Sequence, residues 1–159
     1  MAWNEKGLLF EFEIAKPFEE ALYPDYQKGD SIELFIDTRD LKTAGFPTRF
    51  CHHFLILPQS VEGIESQEIT RFRTDDTHPL ADSDLIFCDT EFSKNAQRIR
   101  IRIASEALHG YDPLSFDRLG FNYRINRPGG EPGHFVLSSN VANPAGHPSL
   151  WASMKLIKK

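Results

Sequence analysis

Residues 30–37 read DSIELFID. Ile32, Leu34 and Ile36 fall on one side of an extended chain, and Ser31, Glu33 and Asp37 fall on the other, joined by Phe35. Side chains alternate across a β-strand, so this period of two gives one face to a core and leaves the other with charge. That polar face is either the wet side of a sheet or the floor of a site.

Outward from this stretch the same period recurs. GLLFEFEI (7–14) sets Leu8, Phe10, Phe12 and Ile14 against Leu9, Glu11 and Glu13. QRIRIRIA (97–104) sets three isoleucines inward and Arg98, Arg100 and Arg102 outward. RLGFNYRIN (118–126) points Phe121, Tyr123 and Ile125 in, with Asn122, Arg124 and Asn126 out. RFCHHFLILP (49–58) reads as a strand stopped by Pro58, since proline cannot donate to a ladder. EITRFRT (68–74), DLIFCDTEF (84–92), GHFVLSSN (133–140) and SLWASMKLI (149–157) are further strand candidates. KPFEEALYPDYQKGD (16–30) and LKTAGFPT (41–48) carry turn residues and read as connections. SEALHGYDP (105–113) is the one candidate helical turn, with Ser105 as its cap. About nine strands and almost no helix predict an all-β fold: an antiparallel β-sandwich with jelly-roll or immunoglobulin-like two-sheet packing, forming one domain over 1–159.

The chain has 159 residues, enough to bury a core without a metal or disulfide. A net charge of −5 argues against nucleic acid as a partner, because phosphate contacts need a basic surface. No apolar run reaches the ~18 residues of a membrane span, and MAWNEKGLLFEFEI is not a signal peptide. A cytoplasmic location is the default expectation, with export if a signal has been removed; only three residues lead into the first strand. Cys51 and Cys88 both sit in strand candidates and read as buried free thiols rather than a disulfide.

The order AWNEKGLLFEFEI, GDSIELFIDTRD, IRIRIASEALHGYDP, RLGFNYRIN and PSLWASMKLI resembles the family 9 carbohydrate-binding-module-like domains, relatives of the DOMON sandwich. The DSIELFID and LGFNYRIN pair is its most distinctive part. The resemblance implies a β-sandwich that binds a sugar or another small ligand on one sheet and performs no catalysis. Its sugar-binding members clamp a saccharide between two tryptophans. Here the only tryptophans are Trp3 and Trp151, in the first and last strands, at positions that look structural in the family. Glu33 matches the family's acidic ligand position. Some members bind calcium.

Three constellations bear on chemistry. On the polar face, Glu33 and Asp37 are expected to share a surface with Arg100, Arg102, Asn122 and Arg124, and with Arg49, His53, Arg71 and Arg73 from neighbouring strands. Guanidinium groups fork onto carboxylates, sulfates or vicinal hydroxyls, so such a set suits an anionic glycan. The competing reading is a ladder of cross-strand ion pairs worth ~0.2–1 kcal/mol each. In CHHF, His52 and His53 point to opposite faces and cannot chelate one ion together, one packing beside Phe50 and Phe54 and the other staying more open. In TDDTHPLADSD (74–84), Asp75, Asp76, His78, Asp82 and Asp84 concentrate oxygen ligands of the kind calcium favours, without the spacing of an EF-hand. Otherwise that loop is a solvated, Asp-capped turn.

Catalysis is not expected: no nucleophile elbow, phosphate loop or HExxH is present. Glu33 and Asp37 lie ~13 Å apart at Cα along a strand, too far for a glycosidase pair. Two partners then remain, a carbohydrate or a protein docking on the same polar face. Phe35 decides between them: ringed by arginine it serves a sugar, and continuous with other exposed apolar residues it serves a protein.

Overall fold

The computed structural model describes residues 1–158. Ten strands run in chain order: β1 Ala2–Asn4, β2 Gly7–Ile14, β3 Ser31–Asp37, β4 Cys51–Val61, β5 Ile64–Glu68, β6 Ile86–Phe92, β7 Gln97–Ala104, β8 Arg118–Asn126, β9 Gly133–His134 and β10 Ala152–Lys155. They form two antiparallel sheets. One has the order β1-β2-β7-β6; the other has β10-β8-β3-β4-β5, with β9 pairing onto β8. DSIELFID is the central strand of the larger sheet. The fold is an all-β sandwich, as the period-two pattern predicts.

The core is the inward face of those patterns. Leu8, Phe10, Ile32, Leu34, Ile36, Phe54, Ile56, Ile99, Ile101, Ile103, Leu119 and Phe121 pack as one buried cluster between the sheets. Phe10 stacks on Phe121 across the sandwich at 5.2 Å. The strand pairs fix the register: Ile32, Leu34 and Ile36 lie opposite Ile56, Phe54 and His52 on β4 and opposite Ile125, Tyr123 and Phe121 on β8.

Several sequence expectations fail locally. EITRFRT is not a strand: β5 ends at Glu68, and residues 69–82 run without regular structure. GHFVLSSN contributes only Gly133–His134 to a sheet, because Val136 and Leu137 give their N–H groups to the side chain of Asn122 instead of a ladder. Trp151 precedes the last strand, which begins at Ala152. The short turn Ser105–Ala107 has Ala104 at its N-cap position, so Ser105 does not cap it and no side chain does. Both cysteines are free thiols, Cys51 buried and Cys88 half-buried, and burial pushes each thiol up to about 12.

The central strand shows the largest departure. All seven residues of β3 are buried, so its polar face is not a wet surface. A second apolar cluster covers it: Phe35, Cys51, Leu137 and Trp151, with Ala142 and Ala145 against them. The chain from 133 to 151 lies over the outer face of the larger sheet as a cover.

Candidate functional site

The outer face of β3, β4 and β8 is set by register. Glu33 lies opposite Leu55 and Arg124, and Phe35 lies opposite His53 and Asn122. Beside the cover this face opens into a groove of about 590 Å³. Glu33, Phe35, His53 and Arg124 line its base. Tyr23, Tyr26 and Gln27 come from the connection before β3, Gln67 from β5, Arg71, Phe72 and Arg73 from residues 69–82, and Asn143–Gly146 with Trp151 from the cover.

Glu33 organises the base. Its Oε1 accepts from His53 Nε2 at 3.0 Å and its Oε2 from Asn126 Nδ2 at 2.9 Å, with Arg124 Nε 3.6 Å away. Gln27 Nε2 reaches both oxygens from above at 3.4–3.5 Å. Burial pushes the carboxyl up, but His53, Asn126 and Arg124 outweigh it and hold it below its ordinary value. The Glu33 side chain is only 2% exposed, against 12% for His53 and 18% for Arg124. Glu33 is therefore a fixed anion beneath the groove that orients the two groups presented to it. Arg71 and Arg73, both exposed, line the wall and have no ion-pair partner among the described residues.

The other predicted site residues lie elsewhere. The expectation that Arg100 and Arg102 share a face with Glu33 does not hold, because β7 belongs to the other sheet. There the competing reading, a cross-strand ladder, describes the arrangement. Arg100 Nε meets Glu11 at 2.9 Å, Arg98 stands between Glu13 and Glu91 at 3.8 Å, and Arg102 stacks over Phe87. Asp37 does not reach the groove; its carboxylate accepts the backbone N–H groups of Arg39 and Leu41 and closes the turn after β3. Burial nonetheless raises its carboxyl above the ordinary value. Arg49 lies outside the groove, paired with Asp76 at 3.3 Å. Asn122 is fully buried, donating to Leu137 O and accepting from Val136 and Leu137 N–H. It anchors the cover.

Neither tryptophan faces the groove as a free platform. Trp151 packs against Phe35 with ring centroids 5.8 Å apart and donates to Pro144 O at 2.8 Å. Trp3 donates to Ile157 O, tying the two ends of the chain together. Tyr23, Tyr26 and Phe72 are the groove's accessible aromatics, and no periodic signal in the sequence marked them: Tyr23 and Phe72 lie in irregular segments and Tyr26 in the single 3-10 turn Tyr26–Lys28.

The acidic loop also rearranges expectations. Asp82 accepts from Asp84 N–H and caps the turn Ser83–Leu85, while Asp76 faces Arg49 and Asp75 is exposed. Among the described residues, the only three or more metal-capable side chains brought together are His52, Glu68 and His78. His52 and His53 point to opposite faces as expected. His52 is buried against Phe54, its Nδ1 donating to Glu68 Oε1 at 3.0 Å. His78 Nε2 meets the same oxygen at 2.7 Å, and Thr70 Oγ1 donates to it at 2.6 Å. Burial pushes the Glu68 carboxyl up, yet the hydrogen bonds from His52 and His78 win and hold it at about 2. For His78, burial pushes down and the Glu68 contact outweighs it, so the imidazole is raised.

No protein-family profile matches the chain, and no curated protein matches it. Among solved structures it is similar to a family 9 carbohydrate-binding module from Caldicellulosiruptor kristjanssonii in complex with cellotriose. The identity is 18%, the TM-score 0.74, and 99% of this chain and 72% of that one are covered. The glucose complex of a family 9 module from the same organism gives 17% identity and a TM-score of 0.75, covering 99% of this chain and 74% of that one. At this identity the likeness speaks for the fold: the sandwich built on DSIELFID has the fold of the family 9 carbohydrate-binding modules.

Proposed function

We propose that this protein is a non-catalytic saccharide-binding module, with its ligand in the groove above Glu33 and a preference for saccharides carrying a carboxylate or sulfate. One observation carries the reading: the groove is rich in donors and poor in free acceptors. Arg71, Arg73, Arg124 and His53 all line it, and its single carboxylate is already committed to His53, Asn126 and Arg124. A planar guanidinium recognises a carboxylate or sulfate bidentately. Tyr23, Tyr26 and Phe72 supply faces on which the C–H side of a sugar ring packs. Structurally similar modules crystallised with cellotriose and glucose support the saccharide class.

The same geometry speaks against glycoside hydrolysis, which uses two facing carboxyl groups. Among the described residues that line the groove, Glu33 is the only carboxylate, and it lies beneath the surface. Phe35, expected to decide between a sugar and a protein partner, is 1% exposed and serves neither as a contact surface.

Calorimetric titration with neutral cello-oligosaccharides, oligogalacturonates and sulfated oligosaccharides tests the proposal. Binding of the acidic ligands that is lost in the double variant Arg71→Ala/Arg73→Ala and kept in Arg100→Ala on the opposite sheet is the expected result. Neutral sugars binding as tightly as the acidic ones, or acidic binding unchanged in the double variant, would overturn the acidic preference. Absence of binding to all three classes would overturn the saccharide reading.

A further inference from the structure

We infer that His52, Glu68 and His78 form a buried structural site for one zinc-class divalent cation, which fixes residues 69–82 against the sandwich. The inference does not depend on the saccharide reading.

Three separate segments supply the ligand atoms. His52 and Glu68 both belong to the inward face of the larger sheet: Glu68 lies opposite Phe54 and His52 is the next inward residue along β4. His78 comes from the irregular stretch after β5. His52 Nδ1, Glu68 Oε1 and His78 Nε2 lie within 4.8 Å of one another, and both nitrogens stand 3.0 Å or less from the carboxylate oxygen. Tetrahedral zinc with ligand bonds of ~2.0–2.1 Å separates its ligands by roughly 3.3 Å. The three atoms reach that spacing with shifts of a few tenths of an ångström at the carboxylate and a modest approach of the two rings. Two imidazoles and one carboxylate, with a fourth position for water, are a ligand set that zinc and its neighbours favour over calcium or magnesium.

The surroundings fit ligands rather than a chance contact. His78 Nδ1 donates to Arg49 O at 2.6 Å, which aims Nε2 at the site. Glu68 Oε2 accepts Ala81 N–H at 2.7 Å, which leaves Oε1 as the single ligating oxygen. Outer hydrogen bonds of this kind orient metal-binding histidines and carboxylates. The side chains of His52 and Glu68 are 0% exposed and that of His78 is 2% exposed. His52 Nε2, on the side of the ring away from Glu68, is buried without a partner.

Both ring nitrogens of His78 face acceptors, Glu68 Oε1 and Arg49 O. A cation on Nε2 takes the place of any proton there, and His52 ligates through Nδ1 with its proton on Nε2. The mechanical consequence is local. Residues 69–82 hold His78 at one end and Arg71, Phe72 and Arg73 of the groove wall at the other, so the ion ties the wall to β4 and β5.

The probe is zinc chloride added to the full chain after treatment with a chelator. Calorimetry is expected to give one equivalent bound. At about 100 times the dissociation constant, the melting temperature rises by about 5–10 °C. His78→Gln removes binding, while His147→Ala, at a histidine outside the cluster, retains it. Failure of wild type to bind one equivalent, or binding that survives His78→Gln, overturns the site. Should His78→Gln not fold, cobalt substitution of wild type decides: an intense tetrahedral visible spectrum upholds the site, and a weak six-coordinate spectrum or none overturns it.

Discussion

Asn122 offers the sharpest test of how the outer face is built, because its residue type suggests a ligand contact and its surroundings make it an anchor. Three hydrogen bonds join it to the cover: Nδ2 to Leu137 O at 3.2 Å, and Oδ1 from Val136 N at 3.0 Å and Leu137 N at 3.2 Å. Asn122→Ala removes all three and leaves the Leu137 amide without its partners in a buried setting. At ~0.5–1.5 kcal/mol each the loss is about 3 kcal/mol, equivalent to a fall of about 6–12 °C in melting temperature for a chain of this size. Urea denaturation measures the global loss, and amide exchange at Val136 and Leu137 reports where it originates. Asn122→Asp adds a control of definite sign. Its carboxylate still accepts the two N–H groups but sets a second anionic oxygen against Leu137 O. Burial and that carbonyl raise the folded-state pKa of the new acid above its unfolded value of ~3.9. The folded state then binds the proton more tightly, so the penalty is full at neutral pH and is relieved as pH falls through the raised value. A loss under ~1 kcal/mol for Asn122→Ala with unchanged exchange at 136–137 would refute the anchoring role. So would an Asn122→Asp penalty that does not shrink on acidification.

Other consequences follow from the same contacts. Phe35→Ala opens a cavity under Trp151 and His53, whose rings stand 5.8 and 4.5 Å from Phe35, and is expected to cost about 3–5 kcal/mol by denaturant titration. Glu33 is held below its ordinary 4.5, so the folded state binds its proton less readily than the unfolded chain; its stabilisation is full above about pH 4.5 and is lost as pH falls below. Melting curves of wild type and Glu33→Gln between pH 7 and 3 therefore converge toward acid, and parallel curves would contradict the pairing. Cys51 and Cys88, with thiols pushed up to about 12, are expected to resist a thiol reagent at pH 8 in the native state and to react upon unfolding; rapid native labelling would contradict their burial. Gly7, at φ +139°, lies where an added Cβ would stand 2.0 Å from Ile103 O, so Gly7→Ala should cost at least ~2 kcal/mol in melting experiments by disturbing the β2–β7 pairing.

The sequence alone determined the sandwich and its inward face. Leu8, Phe10, Ile99, Ile101, Ile103, Phe121 and the three apolar residues of DSIELFID are core because a strand turns alternate side chains to one side, and that rule needs no knowledge of neighbours. The split of His52 from His53 was legible for the same reason. What a period of two does not encode is which strand lies beside which. The arginines of QRIRIRIA look equivalent to Arg124 in sequence, yet β7 pairs with β2 and β6, and its charges meet Glu11, Glu13 and Glu91. Nor does alternation show what covers an outer face. The polar side of β3 is buried because residues 133–151, nearly devoid of strand, fold over it and are held by Asn122 and Trp151. The groove walls and the His52–Glu68–His78 cluster were hidden for a related reason. Tyr23, Arg71, Phe72 and His78 lie in irregular chain and Tyr26 in one short 3-10 turn, paths set by particular side-chain hydrogen bonds and not by repetition. Tertiary structure alone decided them.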